Sequence, residues 1–307
     1  MNVALAAEES AGLHMLRALA RGPHRLVAVL TTPAESSSAK ASLWNVARDL
    51  GFETFPAKLV RTPDLAKQLR SLDVDILLNV HSLYVIHRDV LGVPKLGAFN
   101  LHPGPLPRYA GLNSVSWALF RGETNHGVTV HRMEPEIDAG AIVYQSSFPI
   151  EADDNALSLS FKCTREGIPL MLRLLEVAAS QPEQIPSSPQ DPAQREYFGA
   201  EVPGQGRMSW QWPATKVVNF VRACDYFPFH APWGYPRTRF GGQELALVKA
   251  RRTGLPSDAS PGTVGKPADS ELGVACWDEW VSVSKVRLGD KYLDAQQVLK
   301  PGDCLSD

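Results

Sequence analysis

Short hydrophobic runs alternate with segments of helical periodicity through the first third of the chain. Runs of the kind that form buried strands occupy four places, at residues 3–6, 26–30, 74–80 and 97–101. Hydrophobic residues at helical spacing fall between these runs, at residues 12–19 and 44–50. Strands separated by helices predict an open parallel α/β sheet with right-handed crossovers. Ligands of such sheets bind beyond the carboxyl ends of the strands.

The pattern changes after residues 181–191, a segment rich in proline, serine and glutamine that is typical of a linker. One helical stretch follows at 213–223. Short strand-like runs, punctuated by glycine and proline, then lie at 245–248, 273–276 and 281–288. This second pattern predicts a small β-barrel of roughly a hundred residues.

Composition and charge narrow the classes of function. The chain has 307 residues, of which 44% are hydrophobic, and a formal net charge of −2 with a pI of about 6.5. It therefore has no global positive field that would attract nucleic acid. The four cysteines stand far apart, without metal-ligand spacing, at Cys163, Cys224, Cys276 and Cys304. We interpret them as reduced, structural thiols.

The beginning of the chain lacks the basic start and the long apolar stretch of a secretory signal. No segment approaches the roughly 18 uninterrupted apolar residues of a membrane span. We therefore expect a cytoplasmic protein that does not associate with a membrane.

The segment that begins at Asn100 carries the most informative chemistry. Asn100 and His102 stand two apart at the end of a predicted strand, so alternation turns both side chains to one face at the ligand end of the sheet. The prolines that follow stiffen the next loop. Further along, Asp138 lies in an Asp-Ala-Gly turn between predicted strands at 127–133 and 142–145.

A carboxamide, an imidazole and a carboxylate suit acyl transfer to an amine. The neutral amine attacks the acyl carbon, and an amide and a protonated imidazole can donate to the oxyanion that forms. The carboxylate keeps the imidazole charged or accepts the proton that the amine loses. The chain has neither a G-x-S-x-G motif nor a cysteine beside a plausible base. On the residues alone, a capping Asn100, a structural His102 and a turn-forming Asp138 remain the alternative.

Three further features have plain interpretations. His126 and His131 flank a predicted strand without further ligands at metal-binding spacing, which favours ordinary strand histidines. Trp117 lies in an apolar helical stretch and is expected in the core. The aromatic-rich segment 225–233 is interpreted as packing, with a stacking surface near a substrate as the alternative.

The motifs NLHPGPLPRYAG at 100–111, GETNHGVTVHRM at 122–133 and DAGAIVYQ at 138–145 together resemble the formyltetrahydrofolate-dependent formyltransferase family. The resemblance extends over nearly the whole chain. It implies that Asn100, His102 and Asp138 are catalytic. It also implies that 10-formyltetrahydrofolate is the formyl donor and that no metal takes part.

The same resemblance implies the architecture. A Rossmann-like, open parallel-sheet domain is expected over residues 1–185, a linker over 186–204, and an OB-like β-barrel domain over 205–307. The pterin of the folate is expected in a pocket formed largely by backbone groups beside the catalytic residues. Two segments are expected to bind it, with the residues Ser82, Leu83, Tyr84, Val85 and Ile86 in one and Glu136 and Ile137 in the other.

The sequence departs from the family in the loop after His102. Family members usually read H-P-S-L-L-P or H-G-S-L-L-P and then R-G, whereas this chain has Gly104, Pro105 and, in place of the arginine, Ala110. Together with Arg108 and Tyr109, these residues are expected to bind the acceptor. Their loop is similar to those of formyltransferase-like domains in nonribosomal peptide and siderophore assembly. The expected acceptor is therefore a small-molecule amine, of the amino sugar, hydroxylamine or amino-acid type.

Three other functions fit the sequence less well. Methionyl-tRNA formyltransferases carry a basic loop soon after the second strand, but residues 33–42 hold one lysine and one glutamate here. A nicotinamide oxidoreductase needs a glycine-rich turn after the first strand, and residues 6–10 lack one. A non-catalytic folate-binding or scaffold protein would not need Asn100, His102 and Asp138 together. The sequence leaves the oligomeric state open.

Overall fold

The computed structural model describes residues 1–34, 42–82, 84–267 and 271–307. These residues form two compact units whose segments interleave along the chain. The N-terminal unit consists of residues 1–111, 127–148 and 162–197. The C-terminal unit consists of residues 112–126, 149–161 and 198–307.

A seven-stranded sheet forms the centre of the N-terminal unit. Its strands are β1 (Asn2–Ala7), β2 (Arg25–Thr31), β3 (Thr54–Pro56), β4 (Ile76–Val80), β5 (Gly97–His102), β7 (Asn125–Arg132) and β8 (Ile142–Pro149). Their order is β3-β2-β1-β4-β5-β7-β8. The first five strands are parallel, and β7 runs antiparallel to β5. A separate two-stranded pair is formed by β6 (Ala110–Gly111) and β9 (Tyr197–Phe198).

Burial explains why the strands of this sheet read as continuous hydrophobic runs. Every residue from Val3 to Ala7 is 0% exposed, as expected for a strand covered on both faces.

The helices numbered along the chain are α1 (Glu9–Arg21), α2 (Leu43–Asp49), α3 (Asp64–Ser71), α4 (Arg88–Leu91), α5 (Ser114–Arg121), α6 (Ala156–Ser180), α7 (Ala214–Cys224) and α8 (Ala295–Val298). None of the helices among the described residues is long and apolar enough to cross a membrane.

The C-terminal unit contains a curled antiparallel sheet of six strands. They are β10 (Arg237–Phe240), β11 (Gln243–Pro256), β12 (Val264–Gly265), β13 (Gly273–Ala275), β14 (Glu279–Leu288) and β15 (Lys291–Asp294). Their order is β10-β11-β14-β13-β12, and β15 pairs with β14. Trp210 is 1% exposed in this unit, and its indole N–H donates to the Thr238 hydroxyl at 2.9 Å.

The predicted fold class is confirmed: a mainly parallel α/β sheet in one unit and an antiparallel, half-barrel sheet in the other. The predicted strands at 3–6, 26–30, 74–80 and 97–101 fall on β1, β2, β4 and β5. Helix α6, which has 25 residues and contains Pro169, was not predicted from the sequence. The OB-like topology stays a prediction.

The segment expected to be a linker is ordered. Ser188 exchanges backbone hydrogen bonds with Ile142 at 2.8 and 2.9 Å, so it continues the edge of the sheet. The Gln190 side chain donates to the carbonyl oxygens of Asp138 and Gly140 at 2.8 and 2.7 Å. A polar, proline-rich composition therefore accompanies a segment that is fixed by specific hydrogen bonds.

Candidate active site

Strand register brings three polar side chains onto one row of the sheet. Asn79 on β4 lies opposite Asn100 on β5, and Asn100 lies opposite His131 on β7. Residues directly opposite each other on adjacent strands point to the same face. The Asn79 amide donates to the Asn100 side-chain oxygen at 2.8 Å, and Asn100 Nδ2 lies 3.0 Å from His131 Nε2. Asn79 therefore holds the carbonyl of Asn100, so Asn100 presents its NH₂ group to the neighbouring residues.

His102 belongs to the same strand, two residues further on, at the carboxyl end predicted for a ligand site. It lies opposite Thr129 on β7, and its residue is 3% exposed. The ring Nδ1 lies 3.4 Å from Asp138 Oδ2, and Nε2 lies 2.7 Å from the Tyr109 carbonyl oxygen. Both ring nitrogens therefore face oxygen acceptors.

Asp138 connects Asn100, His102 and His131. One carboxylate oxygen, Oδ1, lies 3.3 Å from His131 Nε2 and 3.4 Å from Asn100 Nδ2. The other, Oδ2, accepts the Gly111 backbone N–H at 2.8 Å besides facing His102. The sequence predicted Asn100, His102 and Asp138 as a group, and the structure brings them together in one network.

The turn that carries Asp138 has an unusual backbone. Asp138 adopts a left-handed conformation with φ of 53°, which few residues other than glycine, asparagine and aspartate accept readily. Two positions later, a Cβ on Gly140 would collide with the Arg132 carbonyl oxygen. Only glycine permits this close approach of the turn to β7. Gln190 binds the carbonyl oxygens at both positions, so the Asp-x-Gly spacing is a requirement of the backbone as well as of the carboxylate.

The charge states follow from burial and from these contacts. Burial by itself would raise the pKa of Asp138, but the charges of His102 and His131 and the hydrogen bonds from His131 and Gly111 lower it below its ordinary value. Asp138 is therefore ionised at neutral pH. Burial lowers the pKa of His102, and the opposing effect of Asp138 does not reverse the direction. His102 is therefore mainly neutral at neutral pH, whereas the sequence left open a charged imidazole.

The loop after His102 is held by one hydroxyl group. The Thr129 hydroxyl, which is fully buried, donates to the Gly104 carbonyl oxygen at 2.7 Å. It accepts the Leu106 backbone N–H at 3.1 Å and the Gln145 amide at 2.8 Å. All the hydrogen-bonding positions of the hydroxyl are thus used, and the loop is fixed to β7.

Gly104 contacts the imidazole. A Cβ at position 104 would lie 2.8 Å from His102 Nε2 and 3.1 Å from the Tyr109 carbonyl oxygen. The family's usual serine at this position would therefore meet His102 in this loop conformation. Gly104 therefore makes room for the His102 imidazole, and its predicted role at the acceptor stays a prediction.

The other residues expected at the acceptor differ in how far they are buried. Tyr109 and Ala110 are each 1% exposed, so their side chains are covered in this conformation. Tyr109 contributes its carbonyl oxygen, with φ of 59°. Arg108 lies nearer the surface, where its guanidinium is 3.4 Å from Glu196 and 5.2 Å from the centre of the Tyr109 ring. Pro105 completes this loop, and the acceptor role of all five residues stays a prediction.

The first segment expected to bind folate belongs to the N-terminal unit. Ile86 is 7% exposed and belongs to its hydrophobic core, against which Tyr84 and Met133 also pack. Val85 is 61% exposed, and the Ser82 hydroxyl is a buried group without a hydrogen-bond partner among the described residues. Leu83 lies outside the residues that the structure describes.

The second segment is more exposed. Ile137 is 40% exposed, and its carbonyl oxygen accepts a hydrogen bond from Arg195 at 2.8 Å. The Glu136 side chain is 71% exposed and lies 3.5 Å from the same arginine. Arg195 thus stabilises the turn that leads into Asp138.

Four residues at the candidate site were not predicted from the sequence, namely Asn79, Thr129, His131 and Gln190. His131 was expected to be an ordinary strand histidine, but it is 1% exposed with Nδ1 2.7 Å from the Arg132 carbonyl oxygen and Nε2 toward Asp138. The available signal was the spacing of Thr129 and His131, which repeats that of Asn100 and His102. Only the pairing of β5 with β7 shows that Asn100 lies opposite His131 and that His102 lies opposite Thr129.

Comparison with known proteins identifies relatives of both parts of the chain. A family model described as Formyl transferase matches residues 1–175, and a second, described as Formyl transferase, C-terminal domain, matches residues 202–301. Among solved structures, a variant of HypX from Aquifex aeolicus is 21% identical, with a TM-score of 0.67, over 97% of this chain and 48% of HypX. The chain thus spans about half the length of HypX.

Two other structures match over nearly their whole length. WlaRD, a sugar 3N-formyl transferase solved with dTDP and 5-N-formyl-THF, is 15% identical with a TM-score of 0.68, over 95% of this chain and 98% of WlaRD. An N-formyltransferase from Helicobacter canadensis, solved with folinic acid and dTDP-3-aminofucose, is 17% identical with a TM-score of 0.69, over 92% and 98%. At these identities the likeness shows the fold, and the first family model covers more than half of the chain. The chain therefore belongs to the formyl transferase family.

Proposed function

We propose that this protein transfers the formyl group of 10-formyltetrahydrofolate to the amine of a small molecule. The observation that carries the proposal is the buried network in which Asp138 faces His102, His131 and Asn100 at 3.3–3.4 Å. Such a network offers an amide donor, an imidazole and an ionised carboxylate, and these are the groups that acyl transfer to an amine requires.

The reaction proceeds by direct attack. The nitrogen lone pair of the neutral amine forms a bond to the formyl carbon, and the formyl oxygen becomes an oxyanion. The Asn100 NH₂ group, oriented by Asn79, donates to that oxygen. When the tetrahedral intermediate collapses, the bond from carbon to N10 of the folate breaks. The amine loses one proton to the enzyme, and N10 gains one.

The state of His102 fits a proton acceptor. A neutral imidazole carries one N–H, yet both ring nitrogens of His102 face oxygens, those of Tyr109 and Asp138. Uptake of a proton gives the ring a donor for each acceptor, and the ionised Asp138 stabilises the resulting charge. Substrate binding exchanges the bond from Nε2 to the Tyr109 carbonyl for a contact with the reacting groups. His102 is then the base that receives the proton of the amine.

The acceptor follows partly from the chemistry of amines. Only the neutral amine attacks, and an ordinary alkylamine with a pKa of about 10.4 needs roughly 4.6 kcal/mol to become neutral at pH 7. An amino sugar or a hydroxylamine is less basic and largely avoids that cost. The Helicobacter canadensis structure contains an amino sugar nucleotide, dTDP-3-aminofucose, which supports this class of acceptor. The loop at residues 33–42 corresponds in position to the basic loop of methionyl-tRNA formyltransferases. Most of it, residues 35–41, lies outside the described part of the chain.

The test is an assay of the purified protein with saturating 10-formyltetrahydrofolate and a panel of acceptors at physiological salt. We expect tetrahydrofolate release and a formylated product with at least one amino sugar or hydroxylamine. Asp138→Asn protein serves as the inactive control. A higher kcat/KM for charged initiator tRNA than for every small amine would contradict the proposed acceptor. No formyl transfer to any acceptor would contradict the activity itself.

A further inference from the structure

The C-terminal unit has a surface cleft that shares no residue with the candidate active site. The cleft has a volume of about 1000 Å³. Its lining includes Trp233, Tyr235, Arg237, Glu244, Ala246 and Arg287. This volume lies at the upper end of the range in which small-molecule sites are found, roughly 300–1000 Å³.

Strand register explains the shape and the charge of the cleft. Arg237 on β10 lies opposite Ala246 on β11, which in turn lies opposite Arg287 on β14. The three side chains therefore share one face of the sheet, with the small alanine between two arginines. Neighbouring strands are about 4.8 Å apart, so the two arginine side chains leave the sheet about 10 Å from each other, with only the small alanine side chain between them. A groove with a cation on each side results.

Two polar groups at the cleft are buried without an acceptor. Trp233 is 7% exposed, and its indole N–H finds no hydrogen-bond acceptor among the described residues. The Nε–H of Arg287 is likewise buried and unpaired within the described part of the chain. A buried donor left unsatisfied costs roughly 1–3 kcal/mol. An acceptor oxygen of a bound molecule removes this cost once the side chain turns its donor toward the cleft.

Both arginines pair with exposed carboxylates, and Arg237 also donates to the Gln205 carbonyl oxygen at 2.6 Å. Arg237 lies 3.2 Å from Glu244, whose side chain is 62% exposed, and Arg287 lies 2.9 Å from Asp290, which is 100% exposed. Exposed ion pairs of this kind contribute little free energy, so a ligand anion can compete with them. Glu201 and Glu244 also line the cleft, which disfavours a ligand with many negative charges.

We infer that this cleft is a second ligand site, which binds a small organic anion through Trp233, Arg237 and Arg287. The ligand carries one phosphate or carboxylate group, whose oxygens accept hydrogen bonds from the indole and the guanidinium groups. Arginine matches both groups with paired donors. A flat, partly apolar body fits against the aromatic wall of Trp233 and Tyr235. The inference does not depend on the proposed formyl transfer.

Calorimetric titration of the full chain tests the site, in the absence of any folate. The probes are AMP and indole-3-acetate, which join a flat body to a phosphate or a carboxylate, with adenosine as the uncharged control. We expect AMP or indole-3-acetate to bind and adenosine to bind at least tenfold more weakly. Binding of AMP alone assigns a phosphate, and binding of indole-3-acetate alone assigns a carboxylate. If neither binds, or if adenosine binds as well as AMP, the inference is wrong.

Three variants locate the binding. Arg287→Ala is expected to weaken the binding of the preferred probe at least tenfold, and Trp233→Phe, which keeps an aromatic ring without the N–H, severalfold. Arg251→Ala is the matched control, because Arg251 is an arginine of β11 that also pairs with an exposed carboxylate, Glu271 at 2.8 Å, but does not line the cleft. Each variant must keep the wild-type circular dichroism spectrum. Equal affinity of the Arg287 and Arg251 variants would overturn the site, whatever the formyl transfer assay gives.

Discussion

Asp138 is the residue on which the proposed chemistry depends most. Replacement by asparagine keeps the size of the side chain but removes the negative charge that faces His102 and His131. We expect the turnover of Asp138→Asn to fall by about a hundredfold or more, because a positioned acid–base group contributes about that factor. Folate binding, measured by fluorescence or calorimetry, is expected to change little. A variant that keeps a tenth of wild-type turnover would refute the assignment.

Asn79 is expected to act through Asn100. Its amide fixes the side-chain oxygen of Asn100 at 2.8 Å, and in Asn79→Ala the carboxamide is free to turn its oxygen toward the site. An oxygen in that position repels the developing oxyanion. We expect kcat to fall about tenfold or more with little change in KM for the folate, since the lost interaction acts in the transition state. Asn125→Ala, at the exposed start of β7, is the control.

If Asn79→Ala changed KM and left kcat intact, the residue would be a binding group and the orienting role would be wrong. Thermal denaturation of the variant separates a lost orientation of Asn100 from a loss of folded protein. A variant that merely unfolds loses active protein, which lowers the apparent kcat of every substrate equally and shows in its thermal denaturation.

At the scale of the elements, the loop between β5 and α5 is the part whose sequence departs from the family. Gly104→Ser restores the family's usual residue but places a Cβ 2.8 Å from His102 Nε2. We expect a stability loss of about 1–3 kcal/mol from overpacking and a tenfold or greater loss of kcat from displacement of the imidazole. Urea denaturation and steady-state kinetics measure the two effects.

The control for that substitution is Gly92→Ser, at the end of α4. A Cβ at position 92 meets nothing nearer than 3.7 Å, and the φ of Gly92 is −81°, so serine fits without strain. We expect this variant to keep wild-type stability and activity. A fully active Gly104→Ser variant would mean that the loop adapts and that the glycine has no bearing on His102.

For the whole molecule, the buried network predicts a loss of stability in acid. The pKa of His102 is lowered on folding, so its neutral form stabilises the native state above the unfolded pKa of about 6.5, and this stabilisation is lost as the pH falls below that value. The pKa of Asp138 is also lowered, so its contribution is present above about pH 4 and is lost in stronger acid. Both groups therefore lower the free energy of unfolding as the pH falls.

We therefore expect the free energy of unfolding in urea to decrease between pH 7.5 and pH 5, with a slope of up to about 1.4 kcal/mol per pH unit from His102. His102→Gln should flatten this part of the curve. His14→Gln, at an exposed position of α1, should leave it unchanged. A curve that is equally steep in both variants would show that His102 is not the titrating group.

The sequence alone determined the broad plan of the protein. Hydrophobic runs located β1, β2, β4 and β5 because a strand buried on both faces must be apolar throughout. Strand alternation put Asn100 and His102 on one face, and the family resemblance added Asp138. These features are local in the chain or belong to known motifs, so they can be found without coordinates.

Only the tertiary structure decided which other residues complete the site. Asn79, Asn100 and His131 become neighbours through strand pairing between segments that lie 21 and 31 residues apart. Nothing in their local sequence marks that register. Gln190 lies in a segment whose composition indicates a linker, yet its hydrogen bonds fix the Asp138 turn. The protonation of His102 depends on burial, which arises only when the chain is folded around it.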